Sequence, residues 1–223
     1  MDLRRIQNDV TDRLMSTRIV QALKRGEMTR AQYRTYMQDV YCYAMHSSQV
    51  IGLAGCRLVL SHPTLSQYLL HHATEELGHD KWAALDLKDL GLSDDEISAI
   101  TPSAPCLRMI GLEYYYAVHA NPVGLFGWMF VLESLGGRVG GSISQAIDQS
   151  LGLQGKGVYF LRGHGEADAH HSEDLFTVIT EGVTHSQDRD DFLRMIRESE
   201  DLYRGILDNT YAIESRKAEA MLV

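Results

Sequence analysis

The chain has 223 residues, 44% of them apolar, enough for one domain with one sizeable core. A formal net charge of −9 argues against a surface made for nucleic acid or anionic lipid. The three cysteines, Cys42, Cys56 and Cys106, are odd in number, far apart and in apolar company. They read as reduced thiols of a cytoplasmic protein, and the charged opening "MDLRRIQNDV" lacks the apolar run of a leader.

Helical periodicity dominates, with four prolines and no sustained strand-like alternation. A first helix is expected over residues 3–24, stopping at Gly26. A second starts at Thr29, a good N-cap, and runs to about Leu60, where "SHPT" breaks it. A third spans about 65–90 and ends at Gly91. "SDDE" then reads as a capping box, with Ser93 as cap and Glu96 reaching back. A fourth covers about 105–120, and "NPVG" ends it. A fifth runs over about 124–149, "LGLQGKG" is a loop, and the last two helices cover about 159–180 and 188–218. The longest uncharged stretch, 114–132, is interrupted by "NPVG", so no membrane span is expected. The expectation is one all-α domain over residues 1–223, built as a helical bundle.

Chemistry concentrates in two places. "HHATEELGHD" puts Glu76 and His79 three apart on the third helix, and Glu-x-x-His at that spacing offers one carboxylate and one imidazole to the same ion. His72 lies seven before His79 on the same stripe, while Glu75 and Asp80 point elsewhere. Alone, the motif reads as readily as a charged helix face. "HGEADAHHSED" puts His164, Asp168 and His171 at i, i+4 and i+7 on the sixth helix, a ready ligand stripe for iron, manganese or zinc. His170 falls off that stripe. Flanking Leu161, Leu175 and Phe176 imply that the helix is packed, so a polar stripe there must be satisfied by something. A further carboxylate, Glu133, follows eight uncharged, largely apolar residues, a costly setting unless it is paired or metal-bound. The glycines after it, from Gly136 to Gly141, allow a close helix or ligand approach. On the second helix Asp39 and His46 are seven apart with Tyr43 between them. His46 is the weaker kind of ligand candidate, a histidine on an apolar face, and Asp39 fits a substrate amine or hydroxyl better than a metal.

Together these pieces resemble the haem-oxygenase-like di-metal oxidases, within the superfamily that includes thiaminase II (TenA) and the pyrroloquinoline-quinone synthase (the TenA/PqqC type). The similarity covers about residues 30–180 and includes the words "HHATEELGHDKW", "NPVGLFGWMFVLE" and "HGEADAHHSEDLF". It implies an all-α, haem-oxygenase-like seven-helix bundle with a di-iron centre that activates dioxygen to oxidise a small molecule such as an amino acid or fatty acid. It also implies an external electron donor and a homodimer. Carried over by position, the ligands are Glu76, His79, Glu133, His164, Asp168 and His171, with catalysis centred on Glu76, His79, Glu133 and His164. Where the family has a second-helix glutamate, this sequence has none between Glu27 and Glu75; His46 is the nearest substitute. One or two non-haem iron ions are the expected cofactor, with manganese or zinc as chemical alternatives.

Three rival readings stand beside this one. A thiaminase-like hydrolase needs a cysteine nucleophile, here Cys42 or Cys106. A haem oxygenase is suggested by "LESLGGRVGG", but the first helix has no histidine to serve as axial ligand. The third is a metal- or partner-binding bundle without chemistry.

Overall fold

The structure, a computed structural model, describes residues 1–220, with the side chains of all but 166–171 and 213–220. Among the described residues the regular elements are eleven α-helices, one 3₁₀ turn and one π segment. In chain order they are α1 (Leu3–Met15), α2 (Arg18–Lys24), α3 (Arg30–Leu58), α4 (Pro63–Glu75), α5 (His79–Asp89) and α6 (Asp94–Ser98). Then come α7 (Ala104–Val118), the 3₁₀ turn (Pro122–Gly124), α8 (Leu125–Leu135), the π segment (Gly136–Gly140), α9 (Gly141–Leu151), α10 (Tyr159–Gly182) and α11 (Ser186–Ala220).

The expected helices are present, and three of them are subdivided for local reasons. The first breaks after Met15, where Ser16 and Thr17 turn their hydroxyls onto the carbonyls of Arg13 and Leu14 at 2.7 Å and Thr17 takes an extended conformation. Such hydroxyls offer orphan carbonyls an alternative to the helix ladder. The third breaks at 76–78, with Gly78 at φ +94°, a left-handed position that suits glycine. The fifth continues through the five-residue π segment, so residues 125–151 form one rod with a local bulge. Both expected caps form: Thr29, whose capping box is completed by Gln32, and Ser93 with Glu96.

One helix sits at the centre. Residues 125–131 of α8 are all buried, and α8 packs against α1, α7, α10 and α11. A helix apolar on every face must be enclosed on every face. Phe130 stacks on Phe176 with centroids 5.3 Å apart and meets Phe192 edge-on at 5.7 Å, tying α8 to α10 and α11. Such ring pairs contribute roughly 0.5–1.5 kcal/mol each beyond their area. The long α3 packs against α4, α5, α7 and α11. No described helix is long and apolar enough to cross a membrane.

Two contacts fix α10, which carries His164. Asp86 on α5 is fully buried, and its two carboxylate oxygens accept the N–H groups of Tyr159 and Phe160 at 2.7 and 2.9 Å. A side chain from another helix thus caps the first turn of α10. Five residues beyond Phe160, Gly165 lies against the backbone of Gly140 and Gly141, where a Cβ would come within 2.6 Å of Gly141 N. The glycine-rich π segment is the surface on which α10 rests.

Candidate metal centre

The break at 76–78 shapes the site. A continuous helix would hold Glu76 and His79 one turn apart on one axis. Here Glu76 closes α4, His79 opens α5, and the turn at Gly78 brings His79 Nδ1 to 3.2 Å from Glu76 Oε1. His72, one turn before Glu76, places Nε2 at 3.8 Å from that same oxygen and 3.0 Å from Glu133 Oε1. Glu133 comes from the last turn of α8, just before the π bulge. His164 comes from α10, its ring edge-on to His79 with centroids 4.6 Å apart. Trp82 stacks on His79 at 4.3 Å, and Phe160 lies against His164 at 4.1 Å, so both imidazoles are held between rings.

These five residues form two overlapping triads. In one, ligand atoms of Glu76, His79 and His164 lie within 4.8 Å of one another; in the other, those of His72, Glu76 and Glu133 do. Glu76 belongs to both. The polar atoms are not all satisfied from within. Glu133 Oε2 is buried without a hydrogen-bond partner, and so is His79 Nδ1, whose contact with Glu76 lacks the direction of a hydrogen bond. Orphaned buried donor atoms of this kind carry a desolvation cost that a cation would remove. The imidazoles are also oriented. His164 Nδ1 lies 2.9 Å from the carbonyl of Phe160, which makes Nδ1 the protonated nitrogen and leaves Nε2 as the ligand atom. His72 Nδ1 faces Glu75 Oε2 at 3.3 Å, the carboxylate–histidine pairing common behind metal ligands.

The electrostatics agree with a cation site. Burial alone would raise the Glu76 carboxyl, but His79, His164 and His72 around it outweigh burial and hold it below the usual carboxylate range. Burial opposes protonation of His72, and the Glu133 carboxylate with Glu76 and Glu75 overrides it and raises the imidazole. His164 is lowered, chiefly by burial, so it stays neutral and able to ligate.

The cluster stands at the end of an apolar cavity of about 150 Å³. Leu14, Ile19 and Leu23 from α1 and α2 form one wall; Leu132, Val139 and Ile147 from the α8–α9 rod form another. On the α3 side the wall is Tyr36, Tyr43, Ser47 and Ile51. Tyr36 and Tyr203 share a hydrogen bond of 2.7 Å between their hydroxyls.

Of the positions expected from sequence, Glu76, His79, Glu133 and His164 come together. Asp168 and His171 lie on the α10 backbone beyond His164, with side chains outside the described residues, as is that of His170. His46 is not brought to the cluster: its Nδ1 is 3.0 Å from the Tyr114 hydroxyl, and no carboxylate or imidazole of either triad meets it. It sits one residue off the α3 stripe that faces the cavity, where Ser47 stands instead. Asp39 lies outside both triads; its two oxygens accept from the N–H and hydroxyl of Ser103 at 2.8 and 2.5 Å, at the cap of α7. Glu75, off the ligand stripe as expected, is exposed, with Oε2 3.3 Å from His72 Nδ1. His72 is the residue sequence reasoning undervalued. Its spacing, i, i+4 and i+7 with Glu76 and His79, was the available signal.

Among curated proteins none matches the chain. A haem-oxygenase-like domain of unknown function from Shewanella denitrificans superimposes with a TM-score of 0.87 at 24% identity, covering 96% of this chain and 94% of that one. A TenA homologue from Pseudomonas syringae gives 0.75 at 12% identity, covering 95% and 91%. Haem oxygenase-1 from the cyanobacterium Synechocystis, in complex with haem, gives 0.72 at 11% identity, covering 99% and 97%. These likenesses establish the all-α haem-oxygenase-like fold. Residues 34–204, the span that holds both triads, match the family described as iron-containing redox enzymes, and the chain belongs to that family.

Proposed function

We propose that this protein is a non-haem iron oxidase that uses dioxygen to oxidise an apolar small molecule, with Glu76 common to the two sets of residues that would hold iron. The observation that carries the reading is the pair of buried triads sharing one carboxylate, with orphaned donor atoms, at the end of an apolar cavity. His79 and His164 would complete one ion's protein ligands and His72 and Glu133 the other's. Ferrous iron so held supplies binding and reduction of dioxygen, chemistry that protein side chains lack.

The residues of the chain do the rest. Glu75 and the Phe160 carbonyl orient His72 and His164: His164 presents its Nε2 lone pair, and His72, paired through Nε2 with Glu133, would give up a proton on taking an ion. Glu76 is held ionised by three imidazoles. Glu133 Oε2, without a hydrogen-bond partner of its own, would be available as a further oxygen donor to a bound ion. The aliphatic walls exclude water and select a substrate with an aliphatic body, which favours a fatty-acid-like molecule over a polar amino acid. Electrons come from an external donor.

The rival chemistries find less support. Burial pushes the Cys42 thiol up to about 12, and burial also raises Cys106, far from the reactivity of a nucleophile. Haem would need an axial imidazole from the first helices, and the chain has no histidine before His46. Anaerobic loading with ferrous iron tests the reading. Two irons per chain, lost in Glu76→Ala, and substrate-dependent oxygen uptake across a panel of fatty acids are expected. A protein that retains no ferrous iron but develops a Soret band with haemin refutes it.

A further inference from the structure

A second constellation lies away from the bundle centre. His62 ends the turn between α3 and α4, and His185 and Asp188 flank the start of α11. One ligand atom from each lies within 4.8 Å of the others. His62 Nε2 is 3.1 Å from Asp188 Oδ2, close to the edge of a tetrahedral coordination shell, and the His185 ring stands edge-on to His62 with centroids 6.2 Å apart. None of these residues belongs to the iron triads.

The group is built rather than incidental. His62 Nδ1 is hydrogen-bonded with Ser61 Oγ at 3.0 Å, which leaves Nε2 for a ligand. Asn121 donates to Asp188 Oδ1 at 2.8 Å, which leaves Oδ2. Asn121 is itself held, donating also to Asp191 Oδ2 at 3.1 Å and accepting from the Val123 N–H at 3.2 Å. Gln187 donates to the same Asp191 oxygen at 3.0 Å. Both inner ligands therefore have outer partners that fix their orientation, the arrangement expected behind metal ligands. Asp188 is buried, His62 half-buried and His185 exposed, so a cation could enter from solvent on the His185 side.

We infer that His62, His185 and Asp188 form a zinc site that clasps the α3–α4 turn to the start of α11. Two imidazoles and one carboxylate, with water at the fourth position, match zinc's preferences. Magnesium and calcium prefer oxygen alone, and ferrous iron stands below zinc in affinity for such ligands. The positive end of the α11 dipole opposes a cation, and the carboxylates of Asp188 and Asp191 offset it.

The test is zinc content of the untagged full chain after equilibrium dialysis. Wild type, His185→Ala, Glu76→Ala and the double variant are compared. His185→Ala should carry one zinc fewer than wild type, Glu76→Ala should keep that zinc, and the double variant should lose it. Equal zinc in wild type and His185→Ala overturns the site and leaves an ion pair between His62 and Asp188. His185 is exposed, so its replacement does not threaten folding. Cobalt(II) added to Glu76→Ala gives an independent reading: the intense visible bands of a four-coordinate site, abolished by Asp188→Asn, are expected, and their absence overturns the proposal. Neither measurement depends on iron binding at the bundle centre.

Discussion

Adding a single methyl group at Gly165 should uncouple α10 from the glycine-rich rod and displace His164 beside it. A Cβ at Gly165 would sit 2.6 Å from Gly141 N, 3.1 Å from Gly141 Cα and 3.2 Å from the carbonyl carbon of Gly140. Ordinary contact begins at 3.4 Å, so the deficit is about 0.8 Å. Every one of these neighbours is backbone, so no rotamer change relieves it. Overpacking of this kind costs roughly 1–3 kcal/mol, and the helix preference of alanine over glycine returns about 1 kcal/mol. Gly165→Ala should therefore lose up to about 2 kcal/mol, a fall of up to about 8 °C in Tm for a chain of this size. The same displacement at His164 should lower the rate of oxidation by about 10²-fold, since misplacements near 1 Å cost that much. Gly111→Ala is the control. That glycine lies on the exposed face of α7 with nothing near its missing Cβ, so it should gain up to about 1 kcal/mol by propensity alone. Thermal melting and iron analysis of the two variants decide the matter. If Gly165→Ala melts as high as Gly111→Ala and keeps its iron, the close approach does not position His164.

His79→Ala and His164→Ala should each lower iron content sharply, and His46→Ala should leave it at the wild-type value; equal iron in all three counts against the assigned triads. Asp86 gives a pH signature. Its burial, opposed by the N–H groups of Phe160 and Tyr159, raises its carboxyl from 3.8 to about 6, so the folded chain holds this proton more tightly than the unfolded chain. The stability it contributes is full below about pH 4 and is lost as pH rises towards 6, by up to about 3 kcal/mol. In urea unfolding, the advantage of wild type over Asp86→Asn should shrink from pH 4 to pH 7, and a constant difference would falsify the linkage. Cys42→Ser should retain oxidation activity, and a thiol reagent at neutral pH should label exposed Cys56 ahead of buried Cys42 and Cys106, as mass spectrometry of the peptides will show.

Much of the architecture was readable because helix periodicity and caps are local. Thr29 as an N-cap and Ser93 with Glu96 are signals within a few residues, and both form as expected. The breaks were harder. The expected third helix ran through Gly78, whose left-handed φ turns the chain and puts Glu76 and His79 on different helices while keeping them 3.2 Å apart. Glu133 was identifiable because an isolated carboxylate in an apolar run demands a partner. His46 was misplaced by the same logic applied to a weaker cue. Helical rotation of one residue, about 100°, decides whether a side chain faces the cavity or Tyr114, and only packing sets that phase. The pairing of His72 with Glu133 crosses 61 positions of sequence and joins two helices, so no spacing rule could reveal it. The His62, His185 and Asp188 group escaped notice for the same reason: its members are distant and each sits in an ordinary turn.

The enclosure of α8 has a further consequence for how the centre assembles. Glu133 is anchored on a segment whose amides should be the slowest in the molecule to exchange with deuterium, because its release requires opening of the whole core. His72, His79 and His164 arrive from helices at the periphery of that segment. The backbone that carries the carboxylate is thus the fixed member of the centre, against which α10, the helix carrying His164, is packed.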